Sequence, residues 1–412
     1  FSKLKFVENV NMKSHEYFGK TIECSCGKTH VIAPNELVYA DDAMARLPEV
    51  CIRAINSHDR KVAVLMDVRT QAVAGNEAVS SLCKARWDVK PILVPDPAPG
   101  KSPVCDDRTR AKIEPQTIGA DLLVTVGSGV ITDLAKWIGL DSNQPVVAFA
   151  TAASMNGYTS ANIAPTIRGV KSLVYGKPVR AILASPAILA CAPDEMTAAG
   201  LGDVLAKSVS SVDWYLNHYL FGDDYCESSV ELVSDLEPLY LENPEGVRDK
   251  QPEALAALFD ALLLTGVAMT MAETSAPASG GEHLISHSLD MLAGAHNTEH
   301  DLHGRQVGVG TILAGAVYQA VLAVESPVLP EPKRSIGTML WGPLTESVKN
   351  HYAEKVPRLQ QAREYLAEKN NWDDLRATLA PRVRNPRIVQ SFLQRSRAAI
   401  RAEDIGSTRE QL

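Results

Sequence analysis

Half of the ten histidines in this chain fall between positions 283 and 303: His283, His287, His296, His300 and His303. Imidazole is a common metal ligand and also the side chain that exchanges protons near neutral pH. Such a concentration points to metal or acid–base chemistry. Gly280-Gly281-Glu282-His283-Leu284-Ile285-Ser286-His287 reads as a helix start, and the i,i+4 spacing puts His283 and His287 on one face. Asp301-Leu302-His303-Gly304 opens the next helix one loop later, and Gly200-Leu201-Gly202-Asp203 brings a carboxylate behind small residues. One carboxylate and two imidazoles hold a divalent ion and leave positions open for an alcohol oxygen and water. Mixed N/O ligation suits Zn²⁺, Fe²⁺, Ni²⁺ or Co²⁺ alike. Spacing alone leaves the ligands open, because His296 and His300 form an i,i+4 pair of their own and His287 is equally readable as a polar core residue.

A second group of residues suits a dinucleotide. Gly127-Ser128-Gly129 follows an apolar run, and Val130-Ile131-Thr132-Asp133 opens a helix. Glycines at a strand-to-helix turn let backbone N–H groups approach a pyrophosphate, with the helix N-terminus adding positive potential. Asp67 ends an earlier apolar run, where a carboxylate accepts from ribose hydroxyls and repels a 2′-phosphate. It reads equally well as a helix cap. Thr151-Ala152-Ala153-Ser154-Met155-Asn156-Gly157-Tyr158-Thr159-Ser160 is dense in small hydrogen-bonding groups. Cys24-Ser25-Cys26-Gly27-Lys28-Thr29-His30 offers two thiolates and an imidazole, but a closed site needs a fourth ligand and no second Cys pair answers it. The expected reading is a tight Gly turn between two short strands.

These residues need elements to carry them. Short apolar runs near 61–67, 89–94 (broken by Pro91), 121–126, 145–150 and 180–184 alternate with helical stretches, which implies a parallel sheet with both faces covered. From about residue 190 the pattern is helical almost throughout. The expected architecture is an α/β Rossmann-like dinucleotide-binding domain over 1–190 and an all-α domain over 191–412. The cleft between them is the expected active site.

The composition is that of a globular chain, with 45% hydrophobic and 22% charged residues. A net charge of -8 without a long basic run argues against nucleic acid. No continuous apolar run has the length expected of a membrane span, and no apolar leader follows residues 1–5. Seven scattered cysteines suit a reducing cytoplasm.

The motifs GSGVITDLAK, TAASMNGYTS, GLGDVLAK, SAPASGGEHLISH and HGRQVGVGT, in this order, resemble the sn-glycerol-1-phosphate dehydrogenase family. That family lies within the superfamily of iron-containing alcohol dehydrogenases, glycerol dehydrogenases and 3-dehydroquinate synthases. The resemblance runs from about residue 24 to 320 and implies a dehydroquinate synthase-like fold. It also implies reversible hydride transfer between NAD(P)H and dihydroxyacetone phosphate, with one divalent metal (Zn, Ni or Fe) and a homo-oligomer; the Asp67 carboxylate, by repelling a 2′-phosphate, slightly favours NAD. Residue by residue it makes Asp203, His283 and His303 the metal ligands and puts His287 beside the substrate as a proton relay. It assigns Asp67, Gly127, Ser128, Gly129, Val130, Ile131, Thr151, Ala152, Ala153, Ser154 and Ser160 to the dinucleotide. It assigns Asn156 and Lys207 to the substrate, with Lys171 and Lys177 as further candidates for its phosphate. Asn156 stands where the family usually has Asp, and Ser185 where it commonly has Asp. Other readings compatible with these residues are a dehydroquinate synthase-like lyase, a dehydrogenase of another polyol or phosphorylated ketone, and a catalytically inactive binding homologue.

Overall fold

The computed structural model describes residues 12–55, 60–296, 298–333 and 341–412; residues 1–5, read above for their lack of an apolar leader, lie outside them. The chain first makes a small antiparallel hairpin, β1 (Thr21–Glu23) with β2 (Thr29–Val31). It then builds one sheet from β3 (Glu36–Tyr39), β4 (Lys61–Met66), β5 (Asp88–Leu93), β6 (Leu122–Gly127) and β7 (Val146–Ala150). Four two-residue strands follow, β8 (Asn162–Ile163), β9 (Thr166–Ile167), β10 (Val170–Lys171) and β11 (Val174–Tyr175), before β12 (Ala181–Ala184) rejoins the sheet. The six sheet strands are all parallel, in the order β3-β12-β7-β6-β4-β5.

The unbroken apolar runs have a direct cause. Ala63, Leu65 and Leu123 point into one core, and Val62, Val64, Met66, Leu122 and Val124 into another on the opposite face. Pro91 does not interrupt β5, because β5 is an edge strand and one of its sides needs no ladder bond. From β4 the chain steps outward to β5 and then returns to the other side of β4 at β6. This is the topological switch point, and the crevice beyond the C-terminal ends of β4 and β6 is where such sheets accept ligands.

Six helices frame the site: α1 (Gly129–Ser142), α2 (Asp194–Leu205), α3 (Lys207–Phe221), α4 (Pro252–Ala272), α5 (Gly281–His296) and α6 (His303–Leu322). By length and mean hydropathy, 1.9, α4 could cross a membrane, yet 94% of its apolar window is buried inside the protein. It is a core helix. Helices α2 and α6 meet through glycine. A Cβ on Gly202 would lie 2.0 Å from the carbonyl oxygen of Gly304, and one on Gly304 would lie 2.0 Å from that of Ala199. Only at this separation do Asp203 and His303, each next to one of these glycines, face one point.

Candidate metal and cofactor site

Asp203 sits near the C-terminal end of α2, with 1% of its surface exposed. One ligand atom from each of Asp203, His283 and His303 lies within 4.8 Å of the others. Asp203 Oδ2 accepts the backbone N–H of Asn156 at 2.8 Å. Its Oδ1 is buried with no hydrogen-bond donor and lies 3.6 Å from His283 Nε2. An orphaned carboxylate oxygen is costly unless a cation meets it. Two imidazoles and a buried carboxylate are a donor set that fits a divalent metal.

The imidazoles are held from behind. His283 Nδ1 lies 2.8 Å from Glu282 Oε1, which also accepts the N–H of Gly280 at 2.7 Å. Ser286 donates to Gln306 Oε1 at 2.8 Å, so its hydroxyl oxygen accepts from His303 Nδ1–H at 3.0 Å. Each imidazole therefore keeps Nε2 free for the ion. The start of α5 is fixed by Asp213, whose Oδ2 accepts from Gly281 N–H at 2.6 Å. Glu282, Ser286, Gln306 and Asp213 were not singled out in the sequence; Glu282 and Ser286 lie inside the GGEHLISH motif, and only their position behind the rings shows their role.

The rival histidines fall away. His300 is exposed, with Nδ1 3.3 Å from Asp290, and neither His296 nor His300 belongs to the triad. The His287 ring lies 5.9 Å from His283 and 5.6 Å from His303, centroid to centroid, beside the triad but outside it.

Burial opposes charge on His283, but the carboxylates of Asp203 and Glu282 outweigh it and push the imidazole up to about 9. Burial, with the charges of His283 and Lys171, pushes His287 down to about 3. Burial and the same cations hold His303 well below the usual histidine range. His287 thus stays neutral at working pH. A metal entering this site must displace one proton, from His283. Apparent metal affinity should rise roughly tenfold per pH unit between about 6.5 and 9 and level off above. In the metal-free chain the same raised value stabilises the fold below about 6.5 and is lost as pH climbs through about 9. Calorimetric titration across that range, with buffers of different ionisation enthalpy, reads both slope and proton release; a flat profile contradicts the assignment.

The glycine loop and the segment after β7, expected from the sequence to meet a dinucleotide, lie at the switch point. Gly127 ends β6, Ser128 precedes α1, and Gly129, Val130 and Ile131 form its first turn. Thr151 N–H donates to the Gly127 carbonyl at 3.2 Å. Tyr158 Oη lies 3.1 Å from that carbonyl and 3.0 Å from that of Ala152, tying the two loops together. Ala152 and Ala153 are almost wholly buried, whereas Ser128, Gly129, Val130, Ser154, Asn156 and Ser160 line the cleft. Asp67 is a helix cap: Oδ1 accepts from the N–H groups of Arg69 and Thr70, and Oδ2 from Arg69 Nε at 3.2 Å. Its acceptors are largely engaged, and it shares Arg69 with Asp96, which lies 2.6 Å from the same guanidinium.

A buried lysine that the sequence reading passed over braces the second loop. Lys136 Nζ donates to the carbonyls of Gly157 at 2.9 Å, Ser160 at 3.1 Å and Asn162 at 2.8 Å, and lies 2.9 Å from Asp133 Oδ1.

Lys207 does not line the cleft that holds the triad. Helices α2 and α3 meet at Ala206, which itself keeps helical dihedrals, so the position of the Lys207 head is set by its partners and not by a turn of the backbone. Lys207 Nζ turns to Glu237 at 3.2 Å, in a separate pocket with Arg382 and Arg384. Lys177 pairs with Asn143 at 3.0 Å, also away from the cleft lining. Lys171, on β10, does line the cleft, 3.8 Å from Asp290.

Comparison with known proteins follows the same lines. The model of the iron-containing alcohol dehydrogenase family matches residues 38–193. A glycerol-1-phosphate dehydrogenase [NAD(P)+] from Halalkalibacterium halodurans is 33% identical, over 72% of this chain and 74% of that protein. One from Thermococcus kodakarensis is 34% identical, over 61% of this chain and 69% of that protein. Among solved structures, a maleylacetate reductase from Rhizobium superposes with a TM-score of 0.58 at 16% identity, covering 92% of this chain and 88% of that one. A glycerol dehydrogenase from Schizosaccharomyces pombe gives 0.56 at 17% identity, covering 90% and 94%. At such identities these two structures establish the fold, a parallel-sheet domain with a helical C-terminal part.

Proposed function

Because the chain belongs to the glycerol-1-phosphate dehydrogenase family, we propose that it interconverts dihydroxyacetone phosphate and sn-glycerol 1-phosphate with NAD(P)H. The observation that carries this reading is the Asp203–His283–His303 triad, with its buried, unpartnered Asp203 oxygen, in one cleft with the glycine loop. Residues 1–190 would serve as the dinucleotide domain and 191–412 as the helical metal and substrate domain.

Asp203, His283 and His303 would hold the ion, for which Zn²⁺, Ni²⁺ and Fe²⁺ are the candidates. When bound, the metal polarises the ketone oxygen against growing negative charge, and the nicotinamide supplies the hydride. The protein's own residues do the rest. Glu282 and Ser286 fix the imidazoles, and the first turn of α1 offers backbone N–H groups to the pyrophosphate. Asn156 Nδ2 is buried without a partner at the cleft and would donate to a substrate hydroxyl. An uncharged amide there, in place of the family's usual carboxylate, spares a phosphate dianion one repulsion. His287, neutral and beside the triad, would pass the proton to the new hydroxyl. Asp67 and Asp96 together outnumber Arg69, which supports a preference for NAD over NADP.

Lys171 lines the cleft, as do Lys101, Arg108 and Arg168, and of the lysines weighed in the sequence it is the one that would meet the substrate phosphate. A Lys171→Met variant should raise KM for dihydroxyacetone phosphate by about 10- to 100-fold, the worth of one charge-assisted contact. Turnover of unphosphorylated dihydroxyacetone should barely change. An assay of NADH absorbance with both ketones tests this, and equal loss on both would remove Lys171 from the phosphate site.

A further inference from the structure

We propose that Cys24, Cys26, His30 and Cys226 form a second metal site, a closed structural one that takes Zn²⁺. Cys24 and Cys26 lie in the turn of the β1–β2 hairpin and His30 lies on β2. The fourth donor that the sequence motif lacked comes from far along the chain, from Cys226 just before the short helix Glu227–Glu231.

The four donor atoms all lie within 4.8 Å of one another. Cys24 Sγ is 3.5 Å from Cys226 Sγ, Cys26 Sγ is 3.3 Å from His30 Nε2, and Cys226 Sγ is 3.9 Å from the same nitrogen. Tetrahedral Zn–S bonds of about 2.3 Å and Zn–N bonds of about 2.0–2.1 Å set ligand atoms roughly 3.6–3.8 Å apart. The spacing is that of ligands around a common centre. A disulfide would need sulfurs about 2.05 Å apart and would leave the third thiol and the imidazole without a role. All seven cysteines are free.

The donor set separates this site from the catalytic one. Three thiolates and an imidazole are soft, fill four positions and leave none for substrate, which is the make-up of a structural zinc site. The triad in the cleft has three donors and room to spare. The hairpin also has a need for such a tie. Its strands are three residues long with mostly exposed or half-exposed side chains, too little to stand alone. The hairpin rests on the segment around Cys226 by the exposed ion pair Lys28–Asp224 at 2.6 Å and by Ser25 with Ser228 at 3.2 Å. Exposed polar contacts of this kind contribute little. A metal bond would join residues 202 apart in sequence and fix the N-terminal hairpin to the helical half of the molecule.

The test uses the full chain purified under reducing conditions. Zinc released by an organomercurial reagent is read with a chromogenic chelator, beside total metal by mass spectrometry. The wild type should release about one zinc per chain. Cys24→Ser and Cys226→Ser should release none and carry about one metal fewer. Asp203→Ala should lose the other metal and keep the mercurial-sensitive one. Cys226→His, which keeps four donors, should retain the zinc and controls for misfolding. Co²⁺-loaded wild type should show the sulfur-to-cobalt charge-transfer band, absent in Cys226→Ser. Mercurial-sensitive zinc that is absent from the wild type or unchanged in Cys226→Ser, or a Cys24–Cys226 disulfide in the native protein, overturns the proposal.

Discussion

An Asp203→Ala chain is expected to fold, to lose the metal of the cleft, and to lose about 10³-fold or more in kcat/KM. The magnitude follows from the several kcal/mol that a Lewis-acid metal contributes to carbonyl polarisation, at 1.36 kcal/mol per factor of ten. The carboxylate does two jobs: Oδ1 lies 3.6 Å from His283 Nε2 within the triad, and Oδ2 holds the Asn156 backbone. Asp203→Asn separates them. It keeps an acceptor for Asn156 N–H and removes the charge, so metal should still be lost while the loop keeps its place. Metal content and steady-state kinetics on both variants check this. Retention of metal and full activity by Asp203→Ala would show that the triad is not the catalytic centre.

Lys136→Met should cost about 3–5 kcal/mol of stability, the scale of breaking a buried charge cluster by removing one partner. The Lys136 side chain is wholly buried, and its ammonium is shared among three carbonyls and Asp133. Methionine fills much of the same volume but leaves three buried acceptors and a carboxylate without their cation. The segment from Gly157 to Asn162 would then loosen. It rests closely on α4, where a Cβ on Gly266 would meet Thr159 Oγ1 at 2.0 Å and the Asn156 carbonyl at 2.4 Å. Affinity for the nucleotide should fall with stability. Urea unfolding and nucleotide titration measure the two, and a loss below about 1 kcal/mol would mean that the ammonium is not bracing the loop.

How much of this was legible in the sequence depended on how local its cause is. The strands β4, β6, β7 and β12 announce themselves because both faces are buried and all but Lys61 and Thr125 of their residues are apolar or glycine. β3 was missed, being four residues at the edge with Glu36 and Tyr39 half-exposed. The two-residue pairs β8–β11 and β9–β10 leave no periodic trace. In the candidate site, the carbonyl-bound Lys136 could not be read from a helix start, because nothing in the sequence shows which face meets the loop. The motif points Lys207 toward the substrate, and only the folded chain shows that its ammonium meets Glu237, a residue 30 positions further on. His287 was expected to titrate near neutral pH, and its burial beside His283 and Lys171 holds it neutral instead. Cys226 was invisible as a partner of Cys24 because the contact exists only after the chain has closed on itself.

The most direct test removes the metal by chelation, restores Zn²⁺, Ni²⁺ or Fe²⁺ one at a time, and follows NADH oxidation with dihydroxyacetone phosphate, assigning the configuration of the product. The metal-free chain should be inactive, at least one metal should restore activity, and the product should be sn-glycerol 1-phosphate. Undiminished activity without metal, or no NADH oxidation with any of the three, would contradict the account.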